Sequence, residues 1–123
     1  MDTEETQQEI LSRIVNKYIA PTMKELGFKR KGRRFRAEGQ TCEKELNVLS
    51  SRWNTRDDVS FTLELFVRRG GENTGDQRVG ALKTGKDTWY QLNADVLPDE
   101  LGRTVKKDIV DYAIPFFDRI EFN

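Results

Sequence analysis

The sequence predicts an α+β fold, with an antiparallel sheet of four to five strands and an N-terminal and a C-terminal helix packed on one face, in the order α-β-β-β-(β)-β-α. Apolar residues recur at three- and four-residue spacing near both ends, and apolar and polar residues alternate in the middle. The alternating segments also follow one another without a helical pattern between them, which favours antiparallel pairing over a parallel α/β arrangement.

The first helix rests on Ile10, Leu11, Ile14, Val15, Tyr18, Ile19, Met23 and Leu26, which fall along one amphipathic stripe. Thr6 followed by Glu9 has the form of a capping box, and Thr3 is an earlier possible start. Pro21 has no N–H for the carbonyl of Lys17, so a kink is expected there while the stripe continues to Leu26. Gly27 stands where a left-handed stop residue belongs, with Phe28 placed to fold back on the last turn.

From Arg33 the period shifts toward two. A short strand is expected over Arg33 to Glu38, and a second over Thr41 to Arg52 with Leu46 and Val48 facing the core and Glu43, Glu45 and Asn47 facing away. The third carries Val59, Phe61, Leu63, Leu65 and Val67 in alternation with Ser60, Thr62, Glu64, Phe66 and Arg68. Asn54 to Asp58 is short enough to join the second and third strands as a hairpin. Gly70 to Asp76 reads as a flexible loop, Gln77 to Leu82 as a short strand or turn, and Asp87 to Asn93 as the last strand. Asp95 is a candidate cap for a closing helix built on Leu101, Val105, Ile109, Tyr112 and Phe116. Gly102 weakens that helix by roughly 1 kcal/mol relative to alanine. Pro115 is expected to break or restart it.

With 123 residues the chain suits one domain, residues 1–123. Hydrophobic residues make up 36% and charged residues 34%, so a heavily charged surface surrounds a core whose bulk comes largely from twelve aromatics. The apolar runs are far too short to span a bilayer, and no export signal opens the sequence. With a single cysteine, Cys42, no internal disulfide forms, and a cytoplasmic location is expected. The absence of histidine excludes Ser-His-Asp triads, Cys-His dyads and Cys/His zinc sites. Carboxylate chemistry and magnesium sites pass this test, but no catalytic set or metal-ligand set stands out, and no cofactor motif is present. The glycines of residues 70–75 are not followed by the Gly-Lys-Ser/Thr of a phosphate loop.

The stretch Glu25 to Glu38, ELGFKRKGRRFRAE, resembles the opening of the bacterial domain of unknown function family 4304. Asn47 to Arg52 (NVLSSR), Arg78 to Leu92 (RVGALKTGKDTWYQL) and Tyr112 to Ile120 (YAIPFFDRI) are similar to later parts of that family, in the same order. The sequence departs from the family pattern at Leu49, where a glutamine is expected, and at Tyr90, where a second tryptophan is usual. The resemblance implies a fold and an order of elements, and no reaction or ligand.

Lys29, Arg30, Lys31, Arg33, Arg34 and Arg36 place six cations in eight residues, a candidate phosphate or nucleic-acid contact. Against it, the formal net charge is zero and a single strand would divide the run between two faces. Arg52 with Trp53, and Arg78 with Trp89, are candidate ligand-binding residues because an exposed indole stacks on flat ligands. Packing is the competing role, especially for Trp89. Glu43 with Glu45, and Asp57 with Asp58, read as solvated charge rather than acid–base pairs, and Cys42 as a small buried residue. The expected function is binding without catalysis, the partner being a protein or a small anionic ligand. Nucleic-acid or phosphate binding through Lys29 to Arg36 is the alternative, and a carboxylate- or magnesium-dependent enzyme a weaker one.

Overall fold

The computed structural model describes residues 5–122. Helix α1 (Gln7–Ile14) begins at Thr6, whose Oγ1 accepts the backbone N–H of Glu9 at 3.2 Å. The alternative start at Thr3 lies outside the described residues. One π-turn, Val15–Ile19, leads from α1 into α2 (Ala20–Glu25). Leu11, Ile14, Val15, Ile19 and Met23 are buried, whereas Leu26, the last member of the expected stripe, is exposed. Gly27 closes the helix at φ 88°, with its N–H donating to Lys24 O and that of Phe28 to Met23 O. Those two bonds satisfy carbonyls the helix end would otherwise leave open. They also turn Phe28 back onto Phe117, ring centroids 5.7 Å apart.

The six strands are β1 (Lys29–Lys31), β2 (Arg34–Glu38), β3 (Glu43–Ser50), β4 (Val59–Arg69), β5 (Glu72–Arg78) and β6 (Tyr90–Leu92). All neighbours are antiparallel, in the order β1-β2-β3-β4-β5, and β6 shares an edge of β4 with β5. The α+β architecture is the expected one, with a higher strand count. One additional strand is β1, formed by the start of the basic run. A two-residue turn of Gly32 and Arg33 joins it to β2, and Gly32 takes the positive φ of 63° that this tight reversal requires.

The other unexpected strand is β5. Glycine content makes Gly70 to Asp76 read as a loop, with a short strand or turn only from Gln77, yet β5 spans Glu72–Arg78, because a sheet edge needs only backbone pairing. Gly70 and Gly71, both at positive φ, close the hairpin back from β4, and a register shift opposite Val67 and Arg68 accommodates Thr74. Residues 79–84 form helix α3 (Val79–Thr84), not a strand or turn, ended by Gly85 at φ 80°. Val79 supplies its buried anchor.

Helix α4 (Pro98–Asp108) is capped by Leu97 with Pro98 in its first turn, so Asp95 is not the cap. Pro115 does not break the closing helix. A second π-turn, Ile109–Ala113, leads directly into α5 (Ile114–Glu121). In both helical arms the residue before proline donates five positions back, Ala20 to Val15 and Ile114 to Ile109. The slip to a wider turn gives the proline ring room and absorbs its missing donor. Gly102 is a close-approach site. A Cβ there would stand 2.1 Å from the Tyr18 ring, so the helical penalty of glycine is exchanged for tight contact between α4 and the first π-turn.

Phe35, Leu46, Val48, Phe61, Leu63, Leu65 and Val67 line the inner sheet face and join the helical stripes in one buried cluster. Removing each such side chain from water contributes about 1.5–3 kcal/mol. Among the described residues no helix packs on the opposite sheet face. Among the described residues no helix is long and apolar enough to cross a membrane.

Candidate functional site

The helix-free face is polar because register keeps alternate residues of every strand on it. Lys31, Arg34, Asn47, Glu64 and Arg78 stand side by side across β1 to β5. Lys29, Arg36, Glu45, Phe66 and Asp76 form the neighbouring row. Cavities lined by described residues open along this face, two of them at the candidate residues.

One cavity, about 750 Å³, is lined by Arg52, Trp53, Arg78 and Trp89 together with residues that include Ser51, Asp87 and Gln91. The four aromatic and arginine positions singled out from the sequence therefore converge, although they come from three separate segments. Trp53 is 79% exposed, an unusual position for an indole. Its loop is nonetheless pinned: the Trp53 N–H donates to Ser51 Oγ, and the Asn54 side chain bonds Ser50 Oγ, Ser60 O and the Ser60 N–H. The Arg52 guanidinium lies 4.8 Å from the Trp53 ring centroid, and that of Arg78 lies 5.3 Å from Trp89, which is half-buried. Each pair holds an indole plane against a delocalised cation.

The two arginines differ in charge compensation. Arg78 contacts Asp87 at 2.6 Å and Glu64 at 3.6 Å, while Arg52 has no carboxylate partner among the described residues. Ser60 Oγ donates to Gln91 Oε1, leaving the amide nitrogen of Gln91 on the same rim. Sequence reasoning missed Ser51, Ser60 and Gln91. The placement of Ser60 on the wet side of its strand was the only signal for any of them.

The second cavity, about 780 Å³, is lined by Lys29, Arg30, Lys31, Arg33, Arg34 and Arg36, with Glu38, Glu43 and Asn47 among the remainder. The basic run is not split as one strand would split it. Because it folds as a hairpin, Lys29 faces Arg36 and Lys31 faces Arg34, which puts four of the six cations on the open face. Arg36 is held by Glu45 at 2.6 Å and Glu43 at 3.6 Å, and its pKa is raised by the hydrogen bond to Glu45 and that carboxylate's charge. Glu45 is buried between Arg36 and Arg68, not solvated as the strand pattern suggested. Arg33 is half-buried, and desolvation followed by the like charge of Arg30 lowers its pKa.

Neither candidate acidic pair forms a catalytic arrangement here: Glu43 and Glu45 are committed to Arg36, and Asp57 and Asp58 lie exposed in the β3–β4 loop. Cys42 is buried and donates to Glu121 Oε2 at 3.5 Å, and burial, then Glu121, pushes its thiol pKa up. A raised thiol pKa is the opposite of what a nucleophile needs.

Fold and site together define a small α+β domain with a polar sheet face, lined by cavities, on the side away from its helices. The family model for a domain of unknown function, DUF4304, matches residues 19–119, and the chain belongs to that family. No curated protein and no solved structure matches the chain.

Proposed function

We propose that the chain is a single, non-enzymatic binding domain of the cytoplasm whose open sheet face takes a small, flat, anionic ligand at Arg52, Trp53, Arg78 and Trp89. The observation that carries this reading is the exposed Trp53, on a hydrogen-bonded loop at the rim of a cavity, beside an arginine without a carboxylate partner among the described residues. An exposed indole on a pinned loop supplies a stacking surface whose ordering cost is already met by folding. Arg52 supplies the charge for a carboxylate or phosphate, and Ser51, Ser60 and Gln91 supply short-range polar contacts. The missing imidazole and the commitment of Glu43 and Glu45 to Arg36 support binding over catalysis.

Both tryptophans of the chain line this cavity, so their fluorescence reports on it selectively. Titration with benzoate and with adenosine monophosphate should change that emission saturably for at least one of them, and Arg52→Gln should weaken binding by roughly tenfold, the loss of one charge-assisted contact. Emission that stays flat to millimolar ligand for both probes, or a response that survives Arg52→Gln unchanged, would remove the proposal.

A further inference from the structure

The β1–β2 hairpin carries a concentration of charge that the fold itself leaves unbalanced. Within the hairpin only Arg36, and elsewhere on the sheet and beneath it Lys44, Arg68, Arg78 and Lys83, lie within ion-pair distance of a carboxylate among the described residues. Among the described residues Lys29, Arg30, Lys31, Arg33 and Arg34 do not. All five line the 780 Å³ cavity.

Their arrangement is more ordered than a solvated basic tail. Arg30 Nε donates to Gly32 O at 2.7 Å and its guanidinium lies 5.8 Å from the Phe35 ring, while Arg33 donates to Ser12 Oγ at 3.1 Å. Both guanidiniums are thus positioned by neutral partners, which orient them without cancelling their charge. Lys31 and Arg34 are direct cross-strand neighbours, as are Lys29 and Arg36. Like charges placed opposite one another destabilise a strand pair unless a counter-ion lies between them.

We infer that this hairpin is a second anion site, separate from the tryptophan cavity, and that its ligand class is an oligophosphate: a chain of two or more phosphate groups, free or carried on a nucleotide or nucleic acid. Several cations lining one cavity match several linked anionic groups better than one carboxylate. Guanidinium forks pair with phosphate oxygens in bidentate geometry, and the lysine ammonium groups add point charge. The competing role for these residues is to guard the exposed edge strand β1 against pairing with another chain.

Calorimetric titration of the full chain with inorganic tripolyphosphate, at fixed ionic strength, separates the two. Saturable binding is expected, weakened roughly tenfold or more in Lys31→Gln/Arg34→Gln, whose exposed positions leave the core untouched. Citrate, a trivalent carboxylate, should bind at least tenfold more weakly. Adenosine triphosphate and a single-stranded RNA octamer, each titrated into wild type and into Lys31→Gln/Arg34→Gln, distinguish a free nucleotide from a nucleic acid as the source of the phosphates by the binding that the variant loses. The Lys31→Gln/Arg34→Gln variant should keep the tryptophan-emission response to benzoate, since neither residue lines the tryptophan cavity, so failure at either site is seen apart from the other. Absence of tripolyphosphate binding, citrate binding of equal strength, or full binding by the Lys31→Gln/Arg34→Gln variant would overturn the inference and leave edge protection as the role of the run.

Discussion

Two arginines on the open sheet face, Arg78 at its β5–β6 end and Arg34 at its β1–β2 end, are held in opposite ways. At the β5–β6 end, Arg78 lies between Glu64 and Asp87 and against Trp89, so its charge is spent inside the fold. At the β1–β2 end, Arg34 has no carboxylate within ion-pair distance among the described residues. Equal residue chemistry therefore has unequal consequences: the first arrangement contributes to folding, whereas the second leaves charge available to something outside the fold. One strand row, Arg34, Asn47, Glu64 and Arg78, joins the two regimes, since Asn47 Nδ2 donates to Glu64 Oε1 at 3.1 Å.

The largest expected effect comes from undermining the support of the compensated end. Tyr90, which follows Trp89, donates to the buried carboxylate of Asp108 at 2.7 Å, and Lys83 meets the same oxygen at 3.1 Å. Tyr90→Phe should lower stability by about 1.5–3 kcal/mol in urea unfolding at neutral pH, as for loss of a hydrogen bond to a charged group. Burial, then Asp108, raises the Tyr90 pKa. The folded state thus favours the neutral phenol, and the unfolded chain releases its proton first as pH climbs past about 10. Tyr90 therefore contributes stability below that pH and loses it above. Wild type should destabilise more steeply than Tyr90→Phe between about pH 9.5 and 11. Parallel slopes would show that Tyr90 is not held this way.

An intermediate effect tests the comparison directly. Arg78→Ala strands Glu64, which is mostly buried, and should cost about 1 kcal/mol, a value discounted because Arg78 itself is 37% exposed. Arg34→Ala should change stability by less than about 0.5 kcal/mol, with relief of repulsion from Lys31 offsetting lost contacts. Equal urea midpoints for the two variants would erase the distinction between the ends.

The smallest effect concerns the ground between them. Thr62 is buried on the open-face side of β4, where the paired edge passes from β6 to β5, and its Oγ1 has no hydrogen-bond partner. Replacing an unpartnered hydroxyl by a methyl group removes a desolvation cost. Thr62→Val should raise stability by a few tenths to about 1 kcal/mol. A melting temperature that falls instead would mean that the hydroxyl is satisfied, by water or ligand.

Local patterns were legible where one segment carried its own signal. The apolar stripe from Leu11 to Met23, the stop at Gly27 with Phe28 folded back, and the alternation from Val59 to Val67 all appear in the structure as read, because helical and strand periods and left-handed glycines are properties of a few consecutive residues. The aromatic and arginine positions were legible as candidates for a similar reason: adjacency already placed Arg52 beside Trp53.

What brought those candidates together was long-range pairing. Arg78 meets Trp89 because β5 and β6 share one edge of β4, and β5 has no apolar pattern by which its pairing could be foreseen. The basic run became a two-strand platform, rather than one strand with divided charges, because a two-residue turn at Gly32 set the register. Sequence alone thus determined the α+β class, the principal apolar faces and the absence of imidazole chemistry. Tertiary structure decided which polar side chains share a surface, because edge-strand pairing is made by backbone hydrogen bonds that every residue but proline can offer.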